Sequence, residues 1–205
     1  IVDIMEEEAT EDIEKMAAIT PSEKPYLKMG IIETWKKRIP WLLLLMISAT
    51  FTGSIINSYE ETLQSVVILT SFIPMLMDSG GNSGGQASVT IIRSLSLGEI
   101  EFADVFKVIW KEVRIAFLCG LTLAAVSFLK IVLLDNTDGY LIPLVIALTM
   151  FVTIVIAKFI GCLLPMLAKK VGLDPAVMAS PFITTVVDAI SLAIYFSLAV
   201  LFLGI

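Results

Sequence analysis

The sequence predicts an all-α membrane protein, with five transmembrane helices per subunit behind one amphipathic interfacial helix, assembled as a homodimer. Three observations predict it. The 205 residues are 57% hydrophobic with a mean hydropathy of +0.92, and their long uncharged runs reach the roughly 20 apolar residues a helix needs to cross a bilayer. The loops between those runs differ sharply in basic content from one side to the other. One isolated carboxylate, Asp188, sits in the last run, where Pro175 to Ile205 carries no other charged side chain over 31 residues.

Composition also excludes. There is no histidine, which removes His-based acid–base chemistry and disfavours a zinc or copper site. The two cysteines, Cys119 and Cys162, fall in predicted spans, have no metal-ligand spacing and are not expected to form a structural disulfide. The metal ligands that remain are hard oxygens. The chain opens with Ile, so more sequence is expected upstream, and its acidic start does not have the pattern of a signal peptide. The net charge of −6 belongs to residues 1–20, which hold seven acids and one base; residues 21–205 hold 13 of each. Nucleic acid is not an expected partner.

Residues 1–20 read as a short acidic helix with Ile13, Met16 and Ala17 as its packing edge. Its acids suit a solvated face or divalent cations shared with a neighbouring domain. Thr20-Pro21-Ser22-Glu23 has the form of a helix start, with a capping Thr, Pro at the first position and Glu completing a capping box. The helix predicted over 21–39 carries Leu27, Ile31 and Trp35 on one face among Lys24, Lys28, Lys36, Lys37 and Arg38, so it should lie at the membrane interface.

The spans follow. Pro40 to Tyr59 is the first, and Glu60 and Glu61 mark its far loop. The second begins at Thr62 and meets Asp78 and SGGNSGGQ, where Gly80, Gly81, Gly84 and Gly85 predict a kink or break. Close helix packing through small residues is the plainer reading of those glycines. Residues 94–114 form a polar connection containing a second amphipathic helix, with Ser96-Leu97-Gly98-Glu99 at capping-box spacing. Ile115–Leu134 and Tyr140–Ala168 are the third and fourth spans. Lys130 and Lys158, which interrupt them, are expected to snorkel to the interface. Asp174-Pro175 should cap the fifth.

Twelve Lys and Arg residues fall on one side of this arrangement and none in the opposite loops, which hold Glu60, Glu61, Asp135 and Asp138. The positive-inside rule then puts the N-terminus in the cytoplasm and the C-terminus outside.

A charged side chain at a helix centre costs roughly 2.5–3.5 kcal/mol on insertion scales, so Asp188 marks a functional site unless it is simply paired. Helical spacing aligns it with Ser180, Pro181, Thr184, Thr185 and Ser191. Asp78, Asn82 and Gln86 make a second polar stripe at i, i+4 spacing on the second span. Irregular backbone there would be tolerated only in protein or facing a water-filled cavity. Two carboxylates on two spans also admit an intramembrane aspartyl protease, but such enzymes carry Gly immediately before one Asp, whereas Met77 and Val187 stand here. Cation permeation fits better. One Asp per chain cannot enclose a divalent ion, but a pair of copies across a two-fold axis could hold Mg²⁺ with most of its water.

These stretches resemble the MgtE magnesium channels. EEEATEDI (6–13), the basic helix before Pro40, PMLMDSGGNSGGQAS with Ile91-Ile92-Arg93, the run Val171 to Ala176, and Asp188 carry the resemblance over essentially the whole chain. It implies a homodimeric channel in the plasma membrane that conducts largely hydrated Mg²⁺ into the cytoplasm through a pore at the subunit interface. An ion-coupled carrier for Mg²⁺ or Mn²⁺ is the alternative. It further implies that Asp188 and Thr184 are the pore's Mg²⁺ site and that 21–39 is a plug helix. Asp174, Glu8, Glu11 and Asp12 would meet regulatory Mg²⁺. Residues 1–20 would be the exit segment of a CBS region belonging to missing cytosolic Mg²⁺-sensing domains, and 40–205 the pore domain. Gly85 and Val89 stand where some members have Asn and Thr.

Overall fold

The computed structural model of the chain describes residues 2–22, 24–135, 137, 139–178 and 180–204; side chains are described from residue 8 onward, Ser180 excepted. All regular structure among them is helical.

Helix α1, Val2–Met16, is the acidic helix expected at the start. Met16 packs against Ile92 and Ala176 and is its working edge, whereas Ile13 stays exposed. The next segment departs from expectation. No helix starts at Thr20-Pro21, and Glu23 lies outside the described residues. A single 3-10 turn, Tyr26–Lys28, precedes α2, Ile31–Ser58, whose N-cap is Gly30. Pro25 is the reason, since it has no N–H to give a helix and disfavours helical geometry in Lys24 before it. Pro40 in turn does not separate an interfacial helix from a first span: α2 runs through it. Pro40 is exposed, and the carbonyl it leaves without an i−4 donor belongs to exposed Lys36.

The predicted second span is also rearranged. A short α3, Glu60–Ser65, and a 3-10 stretch, Val67–Phe72, lead into α4, Ile73–Ser96. The interruption lies before Ile73, and α4 passes unbroken through all four glycines. All four are buried, and Gly80, Gly81 and Gly84 sit where a neighbour presses close. A Cβ at Gly80 would lie 2.7 Å from Thr153 Cγ2, and one at Gly81 would lie 2.8 Å from Thr184 Cγ2. A Cβ at Gly161 would collide with the Gly84 carbonyl. Gly98, at φ +68°, ends α4 in the left-handed conformation that glycine adopts without penalty.

Glu101 and Asp104 form the capping box that starts the next helix; Ser96 and Glu99 do not. Helix α5, Val105–Leu134, unites the predicted amphipathic helix with the third span, and α6, Leu141–Lys170, is the fourth. A 3-10 turn, Pro175–Met178, precedes α7, Ser180–Leu203.

Among the described residues, four segments are long and apolar enough to cross a membrane: Ile31–Ser58, Phe102–Leu134, Leu141–Lys170 and Pro175–Leu203. Helix α6 is the centre of the bundle, packed by α4, α5 and α7. Helix α2 packs along α7, where Tyr59 stacks on Phe196 with centroids 4.8 Å apart. Its middle leaves Leu43, Met46, Ile47 and Phe51 exposed. Leu69, Leu76, Ile146, Met150 and Leu192 fill the main core, and Tyr195 closes it by donating its phenol to the Leu69 carbonyl at 2.9 Å.

Candidate cation site

The site is built on the crossing of α4 and α7. The glycines of α4 bring it close enough to seat Ile183 and Val187 of α7 directly on Gly80 and Gly84. Asp188 follows Val187 and is carried to the edge of that crossing. Its Oδ1 is buried and has no hydrogen-bond partner among the described residues. The carboxylate of Asp78, on α4, is near enough to act on it electrostatically. Two acids on two helices therefore lie within electrostatic reach of each other, and one has a buried oxygen without a partner among the described residues. Such an oxygen is costly to bury bare and is favoured by a cation.

The remaining residues of the two stripes divide. Asp78, Asn82 and Gln86 stand on the exposed face of α4 and border a cleft of about 510 Å³ shared with α5 and α6. Thr184 lies against Gly81. Thr185 donates its hydroxyl to the Pro181 carbonyl at 3.0 Å. Ser191 is buried within the subunit beside Gly80, with its hydroxyl donating to the Val187 carbonyl at 2.6 Å. The side chain of Ser180 is outside the described residues. Among the described residues, no group of three or more acids or cysteines is arranged to hold a metal ion.

Asp174 belongs to a different place, the turn between α6 and α7. Its Oδ1 accepts the Ala176 N–H at 2.9 Å, which is the capping role expected of it. Its Oδ2 accepts from Lys15 Nζ of α1 at 2.6 Å, and Lys15 also pairs with Glu11 at 2.6 Å. The hydrogen bonds to Asp174 and Glu11 raise the Lys15 pKa. Burial pushes Asp174 upward, but the Lys15 and Ala176 hydrogen bonds outweigh it and hold the carboxyl below its ordinary value. Asp12 goes the other way, raised by burial and by the nearby Asp174 charge. Glu8 is exposed.

Two lysines within the helices behave differently. Lys130 reaches the end of α5 and pairs with Asp135 at 2.6 Å, as snorkelling requires. Lys158 does not snorkel, contrary to expectation. It is 5% exposed and lies roughly 18 Å before the end of α6 at 1.5 Å per residue, beyond the reach of its side chain. It borders the same cleft as Asp78. Glu112 of α5 is buried nearby, and both charges act on Cys162. Neither residue stands out from the sequence as a site; only their mid-helix positions separate them from interfacial charges.

A bundle with four membrane-length apolar helices among its described residues is a multi-pass helical membrane protein. Residues 73–198 match MgtE, described as a divalent cation transporter, and the chain belongs to that family. It is 34% identical over 205 residues to the magnesium transporter MgtE of Thermus thermophilus, 35% over 211 residues to that of Bacillus subtilis and 33% over 205 residues to that of Enterococcus faecalis. Each comparison covers 99% of this chain and 44% of the relative, so the chain spans less than half the length of the relatives it matches.

Proposed function

We propose that the chain forms the pore of a Mg²⁺ channel and admits largely hydrated Mg²⁺ to the cytoplasm. The observation that carries this is Asp188, a carboxylate with a buried oxygen that has no partner among the described residues, within electrostatic reach of Asp78 where α7 crosses α4. Mg²⁺ keeps several waters and binds through one or two carboxylates, which is what this pair offers. Relatives named as magnesium transporters support the choice of ion.

The exposed polar stripe of Asp78, Asn82 and Gln86 favours a second copy of the chain across it, with Asp188 and Thr184 contributed twice to one path. Helix α4 then serves as a span beside the four apolar ones, giving five. The basic side of the bundle faces the cytoplasm of a cell whose plasma membrane it crosses. Residues 21–39 act as the plug, followed by the pore domain over 40–205. Residues 1–20 are the exit of a cytosolic Mg²⁺-sensing part, and the cluster of Asp174, Glu11 and Asp12, with Glu8 nearby, communicates regulatory Mg²⁺ to it.

The test is Mg²⁺ uptake by proteoliposomes containing the wild type, Asp188→Ala or Asp188→Asn. Both variants are expected to lose at least tenfold in rate while folding normally. Unchanged uptake removes Asp188 from the path. Uptake that proceeds without unitary currents at a fixed gradient would favour a coupled carrier over a channel.

A further inference from the structure

Lys158 is a buried charge of the bundle with no part in the proposed path. Its position follows from packing. The α6 backbone at Ala157 and Gly161 is pressed against Gly84 of α4, where a Cβ on Gly84 would lie 3.1 Å from the Ala157 carbonyl. Lys158 is carried by that contact to the edge of the cleft between α4, α5 and α6. It is 5% exposed and makes no hydrogen bond or ion pair among the described residues. Glu112, also buried, forms no ion pair with it. An ammonium in mid-bundle is costly unless it reaches water, and the cleft is where Lys158 can do so.

The cleft it borders is otherwise a cation site in composition. Asp78 supplies a carboxylate, Asn82 and Gln86 supply amide oxygens, and Ser79 and Thr122 supply hydroxyls. These are the hard oxygens that Mg²⁺ and Ca²⁺ select. A fixed positive charge on the same wall opposes a divalent ion there and leaves a more weakly held, hydrated one.

Building on the channel reading above, we propose that Lys158 is a specificity-determining residue of the path: a tethered cation that keeps the Asp78–Asn82–Gln86 cleft from trapping a divalent ion. Permeating ions then pass the cleft and dwell at Asp188. Removing the ammonium converts the cleft into a retention site.

The whole chain is used for the test, in detergent for Mg²⁺ titration calorimetry and in proteoliposomes for uptake. Lys158→Met is expected to tighten Mg²⁺ binding about tenfold and to lower both the half-saturating Mg²⁺ concentration and the maximal rate. Lys158→Arg keeps the charge and should stay within twofold of wild type. Adding Asp78→Asn to Lys158→Met should reverse the tightening. Lys158→Gln, which removes the charge but keeps a polar side chain, should tighten binding as Lys158→Met does, and it carries the test if Lys158→Met fails to fold. Binding by Lys158→Met within twofold of wild type overturns the proposal, as does a tightening that Asp78→Asn does not reverse. Repeating the calorimetry in an Asp188→Ala background separates the two readings. Tightening that persists there supports the cleft whatever uptake shows for Asp188, and its absence counts against the cleft alone.

Discussion

Lys15 of α1 and Asp174 of the turn before α7 meet at 2.6 Å. The pair joins an acidic helix at the start of the chain to the end of the bundle where α7 begins, and Met16 adds an apolar contact with Ile92 and Ala176 beside it. Asp174 has two duties, since its other oxygen caps the turn at Ala176. Lys15→Met should therefore release α1 and leave the turn intact, whereas Asp174→Ala should loosen both. Both partners are partly exposed, so the coupling in a double-mutant cycle should be about 1 kcal/mol or less. Hydrogen exchange of α1 amides reports the release; protection unchanged by Lys15→Met would remove the latch.

The same contact should depend on pH. Asp174 has a lowered pKa in the folded chain, so its contribution is complete above the ordinary value of 3.8 and fades as pH falls through the lowered one. Lys15 has a raised pKa, so its share is complete below 10.5 and is lost as pH rises through the raised value. Asp12, raised chiefly by burial, opposes this slightly and favours docking as pH falls. Exchange protection of α1 should stay high across the neutral range and drop at both extremes. Protection that varies steeply around neutrality would contradict the pairing.

Glycine substitutions should separate packing from mere flexibility. A Cβ at Gly161 meets the Gly84 carbonyl, which is backbone and cannot swing aside. Gly161→Ala should cost about 1–3 kcal/mol, the usual range for overpacking. A Cβ at Gly53 in α2 meets nothing within 4 Å, so Gly53→Ala should be neutral or stabilise by up to about 1 kcal/mol through helix propensity. Thermal unfolding in detergent compares them, and equal effects at both sites would show that the α4–α6 contact is loose.

The phenol of Tyr195 is fully buried and bonds the Leu69 carbonyl, in the 3-10 stretch that leads into α4. Tyr195→Phe leaves that carbonyl without its donor and should cost about 1–3 kcal/mol. The loss should appear first as faster exchange over residues 67–72; uniform destabilisation without a local change would place the bond's role elsewhere.

The amino-acid sequence by itself determined the helices that end on local chemistry and the places where charge is expensive. Apolar runs located α6 to within two residues and the end of α5 at Leu134, but α5 starts ten residues before the expected third span and α7 only after the 3-10 turn that Asp174 caps. Asp188 stood out because a single carboxylate in 31 residues needs no neighbour to be noticed. The helix expected over 21–39 is displaced by Pro25, and Pro40, expected to open the first span, lies inside α2. Only the tertiary structure decided whether SGGNSGGQ breaks or packs, because a glycine's cost depends on what lies opposite, and Thr153, Ala157 and Gly161 of α6 are far along the chain. It also decided the fates of Lys130 and Lys158. The two look alike in sequence, but one lies within reach of a helix end and the other is enclosed by α4 and α5. Burial of a charge is set by neighbours distant in sequence, and no local pattern records them.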